Sequence, residues 1–232
     1  MVDFQGFTEN ILTFFKNLVQ NNNREWFIEN KAFYEQYVKN PSIELVNSLS
    51  IRFANEGLPY IADKSKSLFR LYRDTRFSND KSPYKTNLGI LFPLNSIHTK
   101  VQDVRTIGLY FHFDAKESFV AGGLHFTDTP TANLIRDRIA EEWKDLLSIL
   151  ENKEFKMNFP VLSQDNKLKK APKGYPADHP AIEILKLKGF TVFGQLMHEQ
   201  CFHKEFEDTI LEKAKIILPF LQYLDEAINV NN

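Results

Sequence analysis

Between positions 70 and 87 the chain reads Arg-Leu-Tyr-Arg-Asp-Thr-Arg-Phe-Ser-Asn-Asp-Lys-Ser-Pro-Tyr-Lys-Thr-Asn. This is the most chemically dense stretch of the sequence. Arg73 and Arg76 offer planar forks of N–H donors that match a carboxylate or a phosphate. Lys81 and Lys85 add mobile point charges, and Thr75, Ser78, Asn79 and Ser82 add neutral hydrogen-bonding groups. If Arg73, Arg76 and Lys85 converge, they make a pocket for a small anionic ligand bearing phosphate or carboxylate. Asp74, Asp80 or Tyr84 could then orient that ligand or move a proton. The same residues also admit a plainer role. An Arg-Asp-Thr-Arg run can close on itself as a salt-bridge network, with Asp74 and Asp80 accepting from the arginines and from loop amides. Ser82-Pro83-Tyr84 can be a turn that ends in a packed tyrosine.

Other candidates lie further on. His112 and Glu117 could act together as an acid/base pair. Metal chemistry is not expected. His112 and His125 fall six positions apart along a strand pair, about 20 Å at ~3.3 Å per residue, too far to share an ion. Asp178-His179-Pro180 precedes a short helix and reads as a cap. His198 and His203 flank Cys201, but a lone cysteine among apolar neighbours is more often a packing residue. There is no glycine-rich phosphate loop, no GxGxxG and no serine elbow, so no cofactor is expected.

The elements that must position these residues follow from the hydrophobic period. Phe7, Ile11, Phe14 and Leu18 recur at helical spacing and stop at Asn21-Asn22-Asn23. Asn23 can cap a second helix carrying Trp26, Phe33 and Tyr37, and Pro41 can open a third that Gly57-Leu58-Pro59 closes. The period then changes to that of strands at 68–74, 86–92, 104–114 and 117–126. The last two make a hairpin if Ala115-Lys116 is its loop. Asp114 then faces Glu117, His112 faces Phe119 and Tyr110 faces Ala121 on one sheet face. Leu109, Phe111, Phe113, Val120, Leu124 and Phe126 fall on the other. Helix resumes at Thr129-Pro130, the segment 153–177 reads as a strand pair or an irregular excursion, and 178–186 as a short helix. A strand at 190–197 precedes a helix from 202 that Pro219 kinks or restarts. The expectation is an α+β fold in a single domain: a helical part over 1–60, a sheet-rich centre over 64–126 and a mixed part over 128–230, with a mostly antiparallel sheet carrying helices from both ends.

With these elements in place, a resemblance becomes visible. Arg73-Asp74-Thr75-Arg76-Phe77-Ser78 and Asp80-Lys81-Ser82-Pro83-Tyr84-Lys85-Thr86 are similar to the signature of an uncharacterised family catalogued as domain of unknown function 2461. Glu117-Ser118-Phe119 with Gly122-Gly123, Ala171-Pro172-Lys173-Gly174-Tyr175 with Asp178-His179-Pro180, and Lys186-Leu187-Lys188 also resemble it, as do Trp26-Phe27 and Asn30-Lys31. Where members typically carry Pro-Gly before the Glu-Ser, this chain has Ala115-Lys116. The resemblance spans nearly the whole chain and implies a single intracellular domain. It brings no reaction, cofactor or partner with it.

Composition bounds the function. The 232 residues include 21 Phe, 8 Tyr and 2 Trp, ample material for a core without staples. One cysteine excludes an internal disulfide framework and fits a reducing compartment. No apolar run reaches the ~20 residues of a membrane span, and the first residues lack the pattern of a signal peptide, so a cytoplasmic location is expected. The formal net charge is −1, yet residues 64–105 carry nine basic and three acidic side chains. That local excess suits one anion site better than a nucleic-acid interface, which needs an extended basic stripe. Three functions therefore stand in order: a binder of, or enzyme acting on, a small anionic ligand; a nucleic-acid module with Arg70, Arg73, Arg76, Lys81 and Lys85 among stacking aromatics; and a scaffold without chemistry. A concave pocket at 73–85 favours the first, a long basic groove the second, and arginines consumed internally the third.

Overall fold

The computed structural model describes residues 4–76, 78–95, 106–125, 127–165 and 167–229. It begins with α1 (Glu9–Gln20), α2 (Arg24–Tyr34), a π-helical turn (Glu35–Lys39) and α3 (Asn40–Asn55). Three strands follow: β1 (Asn87–Pro93), β2 (Gly108–Asp114) and β3 (Ser118–Leu124). The remainder is α4 (Thr129–Glu151), α5 (Lys153–Asn158), β4 (Val161–Leu162), α6 (Ile182–Leu185), β5 (Phe190–Leu196), α7 (His198–Cys201) and α8 (Phe206–Asn229). The strands form a five-stranded antiparallel sheet in the order β1-β2-β3-β5-β4, with helices before and after it in the chain, which is the expected α+β class. The chain gathers into two compact units. One consists of Met1–Phe92, Tyr110–Val120 and Gln195–Glu212, the other of Pro93–Leu109, Ala121–Gly194 and Lys213–Asn232.

The first unit is built on aromatic packing. Ile11, Phe14, Phe15 and Leu18 recur at helical spacing on α1 and are all buried. Asn23 caps α2 by accepting from the Trp26 N–H at 2.9 Å. The chain does not stop at Pro41. Its helix continues from Arg24 to Asn55 through the π turn just before the proline. Pro41 has no N–H to give, and in a regular α-helix its ring meets the carbonyl four residues back. A π turn widens the backbone at that point and removes the conflict.

The strand expected at 68–74 is reduced to two isolated bridges, Leu68 with Ile90 and Tyr72 with Tyr84. Backbone bonds from Phe69 N–H to Gly89, Leu91 N–H to Ser67 and Lys85 N–H to Leu71 still align it antiparallel to the segment leading into β1. The β2–β3 hairpin forms as expected. The Asp114 N–H donates to the Glu117 carbonyl at 3.0 Å, and the His112 ring lies on Phe119. Ala115-Lys116 serves as its loop because the Asp114 carboxylate accepts from the Lys116 and Glu117 N–H groups at 2.7 and 2.9 Å. Phe111 packs between Phe7 and Phe206, and Phe113 against Phe15. Both are fully buried, and removing either ring would cost roughly 3–5 kcal/mol. Tyr110, His112 and Asp114 point to the opposite face and are half-buried. Val104, Arg105 and Phe126, assigned to these strands from the sequence, lie outside the described residues, as does Phe77.

The second unit sets α8 against β3. A Cβ on Gly122 would run into Ile217, and one on Gly123 into the Phe190 carbonyl oxygen, so the glycine pair admits both neighbours. Asp128, not Thr129, caps α4, accepting from the Thr131 N–H at 2.8 Å and leaving Pro130 in the first turn. Arg136 is buried and donates to the Leu185 and Leu187 carbonyls at 2.8 and 2.7 Å and to Asn133 at 3.0 Å. It thereby ties α4 to the end of α6. The stretch after α4 folds as α5 and the two-residue β4, which pairs with β5 through Val161–Phe193 and Leu162–Val192. The short helix is confined to α6. His179 lies before it and accepts from the Ala181 N–H at 3.0 Å. α8 begins at Phe206 rather than 202 and runs through Pro219, held by the buried Ile217, Phe220 and Leu221.

Candidate functional site

The polar loop hangs from the Tyr72–Tyr84 bridge, and its shape follows from local hydrogen bonds. Asn22 fixes its base. The Asn22 side-chain amide donates to the Tyr84 carbonyl at 2.9 Å and accepts from the Tyr84 N–H at 3.1 Å, as a paired strand would. The Tyr84 ring is buried against Phe27, with centroids 4.4 Å apart. Inside the loop the carboxylates meet the arginines. Asp74 takes a two-pronged bond from Arg76, Nε to Oδ1 at 3.0 Å and Nη2 to Oδ2 at 2.7 Å. Those side-chain bonds, with the Arg76 N–H, lower the Asp74 pKa to about 2. Asp80 accepts from Arg73 and from the Ser82 hydroxyl and N–H, which hold its carboxyl well below the usual range. Lys81 donates to the Thr75 carbonyl at 2.9 Å.

Two depressions open beside this loop. The first, about 510 Å³, lies between residues 22–25 and Tyr72, Arg73, Thr75, Lys81, Ser82 and Pro83. The second, about 490 Å³, is bordered by Val19, Asn22, Arg73, Asp80, Ser82 and residues 84–87. Asn22, Arg73 and Ser82 border both, so the two adjoin as one cleft. Of the residues expected at the site, Arg73, Lys81, Tyr84 and Lys85 border it. Arg76 and Asp74 do not; they bind each other, and the Arg76 side chain is 77% exposed. The Lys85 ammonium stands 5.1 Å over the Phe69 ring. Burial presses its pKa downward, and the charge of Arg70 adds to the effect.

Asn87 links the cleft to a second polar group. Its side chain lies 3.5 Å from His112 Nδ1, and the Tyr110 hydroxyl is 3.3 Å from the same nitrogen. The other ring nitrogen, Nε2, is turned towards Asp114. That Nε2 lies 3.2 Å from Asp114 Oδ2 without the alignment of a hydrogen bond. The Tyr110 hydroxyl is pushed up to about 12 by burial. Asp114 is partly desolvated, yet the Glu117 and Lys116 N–H groups and His112 outweigh that and lower its pKa. His112 therefore has Asp114 as its carboxylate neighbour. Glu117 is exposed at the turn, and among the described residues its backbone and not its carboxylate is engaged there. His125 lies in the other unit, beside a depression of about 450 Å³ with Thr127, Asp165 and Lys188. Among the described residues no three His, Cys, Asp or Glu side chains gather closely enough to hold a metal ion. Cys201 is buried, and burial pushes its thiol up to about 12, which suits packing and not nucleophilic attack.

The sequence reading missed Asn22, Asn87 and Asp114. A signal existed for the last: Tyr110, His112 and Asp114 occur at every second position of an otherwise apolar strand, the mark of one shared sheet face. Nothing in Asn21-Asn22-Asn23 distinguishes a clamp from a helix stop.

The family described as conserved hypothetical protein (DUF2461) has a model that matches residues 10–223, nearly the whole chain, and the protein belongs to that family. No curated protein and no solved structure matches it. No helix among the described residues is long and apolar enough to cross a membrane.

Proposed function

We propose that the cleft holds a small anion, a phosphate or carboxylate group, between Arg73 and Lys85. The state of Lys85 carries this reading. Its side chain is half-buried on the cleft wall and, among the described residues, its ammonium has an aromatic face beneath it but no carboxylate and no hydrogen-bond acceptor. A desolvated cation beside a concavity gains most from an anion that supplies the missing counter-charge. Arg73 supports the reading. Its partner Asp80 has a side chain 56% exposed, and an ion pair that open to water is worth only ~0–1 kcal/mol, so a ligand can share the guanidinium. Lys81 adds charge at the edge, while the Arg76–Asp74 pair shapes the loop.

A second reading, a rigid loop without a ligand, draws on one observation: Arg73 and Arg76 are both ion-paired within the loop. One experiment separates the two. Thermal unfolding is followed with inorganic phosphate added against chloride at constant ionic strength. The anion reading expects a saturable rise in midpoint, with Lys85→Ala and Arg73→Ala each weakening binding by about 1.5–3 kcal/mol, the worth of a charge-assisted hydrogen bond. A wild-type protein that phosphate does not stabilise leaves the rigid loop as the function of these residues.

A further inference from the structure

Resting on that anion site, we propose that its ligand also carries a planar aromatic ring, as a nucleotide does, and that Tyr72 is the surface on which the ring stacks. Tyr72 borders the 510 Å³ depression and is 55% exposed, although it belongs to the aromatic cluster of the first unit. Phe27 meets it at 70° with centroids 6.3 Å apart, and Tyr84 lies 5.2 Å away, so the ring is held from within the cluster while much of it stays open to water. Three cations, Arg24, Arg73 and Lys81, border the same depression. A large apolar ring kept in water inside a concavity, beside cations, matches a molecule with a stacking ring at one end and a negative group at the other.

The remaining lining fits the edge of such a ring. Glu25 can accept from a ring amino group, and the Thr75 and Ser82 hydroxyls can donate or accept. Asn22 is committed to the Tyr84 backbone and shapes the wall. The volume lies within the ~300–1,000 Å³ of small-molecule sites. A free mononucleotide and the 5′-phosphorylated end of a strand present this chemistry equally.

Calorimetric titration of the full chain with inorganic phosphate, adenosine monophosphate and a 5′-phosphorylated tetranucleotide tests the inference. Adenosine monophosphate is expected to bind about 10- to 100-fold more tightly than phosphate, the gain that stacking a base on an aromatic side chain provides. Tyr72→Leu keeps apolar bulk but removes the ring. It should leave phosphate affinity within about twofold, which reports an intact site, and erase the nucleotide's advantage, while Tyr72→Phe preserves it. A tetranucleotide binding more tightly than the monophosphate assigns the source to strand ends; equal or weaker binding assigns it to free nucleotides. Phosphate binding with no gain for the nucleotide, or a gain that survives Tyr72→Leu, overturns the stacking role and leaves the anion site standing. If neither phosphate nor nucleotide binds, the anion site itself falls.

Discussion

The imidazole of His112 lies flat on the ring of Phe119, their centroids 4.5 Å apart and their planes 6° from parallel. The two residues face each other across the β2–β3 hairpin, so the stack locks the register of the pair as well as the tilt of the imidazole. With its faces fixed, the ring can present its nitrogens only edgewise, Nδ1 towards Asn87 and Tyr110 and Nε2 towards Asp114. A double-mutant cycle of His112→Ala and Phe119→Leu, read by urea unfolding, should give a coupling of about 0.5–1.5 kcal/mol. Additive losses would mean that the stack contributes nothing beyond burial.

Asn22→Ala removes both side-chain bonds to the Tyr84 backbone and leaves a half-buried N–H and carbonyl without them. A loss of about 1–3 kcal/mol in unfolding free energy is expected, together with faster amide exchange at Tyr84. Asn22→Asp keeps an acceptor for the N–H but loses the donor to the carbonyl, so it should recover only part of that loss.

Asp74 provides a direct test of the loop's internal pairing. Its folded pKa, about 2, lies below the ordinary carboxylate value, so its contribution is fully present above pH ~4 and is lost as pH falls through 2. An NMR titration of the Asp74 carboxyl carbon should show a midpoint near 2 in the wild type. Arg76→Ala should move it upwards, towards ~3.9. A wild-type midpoint already at the ordinary value would show that the Arg76 fork does not hold Asp74 in solution.

Arg136 should be among the least replaceable charged residues. Its guanidinium is buried, and two carbonyls at the end of α6 depend on it. Arg136→Met keeps length and apolar bulk but leaves both acceptors unmatched, for an expected loss of roughly 2–5 kcal/mol. Arg136→Lys should rescue little, because a single ammonium cannot reproduce the fork. Loss of less than ~1 kcal/mol in the Met variant would mean that water replaces the guanidinium.

Gly123 and Gly57 form a matched pair for separating clash from backbone strain. Both have positive φ, +122° and +64°, but only at Gly123 would a Cβ meet other atoms. Gly57→Ala should therefore cost about 1–2 kcal/mol, the left-handed penalty alone. Gly123→Ala adds the collision with Phe190 and should cost on the order of 2–5 kcal/mol in denaturant titrations.

Periodic features were readable from the chain because they report burial. The α1 stripe, the two faces of the β2–β3 hairpin and the position of β5 all follow from apolar spacing. The structure departs from the sequence reading where one polar side chain decides the outcome. Asp128 takes the cap that Thr129 could have taken, and Asp114 turns Ala115-Lys116 into a workable hairpin loop. At the candidate site, residue types located the cleft, since Arg73, Lys81 and Lys85 all border it. Pairing within the loop was a matter of geometry: Arg76 and Arg73 each had two carboxylates close in sequence, and only the folded loop sorts Asp74 to one and Asp80 to the other. Asn22 stayed hidden because its partner is the backbone 62 residues away, and a backbone acceptor leaves no trace in a sequence.

The π turn before Pro41 has a consequence for which changes in length this protein can accept. Such a turn is an α-helix with one residue too many, and each residue of a helix turns the chain by about 100°. The surplus residue therefore sets the angle between the side of α2 that buries Phe27 and the side of α3 that buries Leu45, Leu49 and Phe53. Deleting any one residue of Glu35–Lys39 would restore a regular helix, return the proline ring to its clash and swing one apolar side about a quarter turn away from its partners. A neutral substitution is easily accommodated at the exposed Gln36 and Lys39, though not at the buried Val38, whereas a single-codon deletion is accommodated nowhere in the turn, so the exposed positions of the helical stretch from Arg24 to Asn55 can vary in sequence far more freely than the stretch can in residue count.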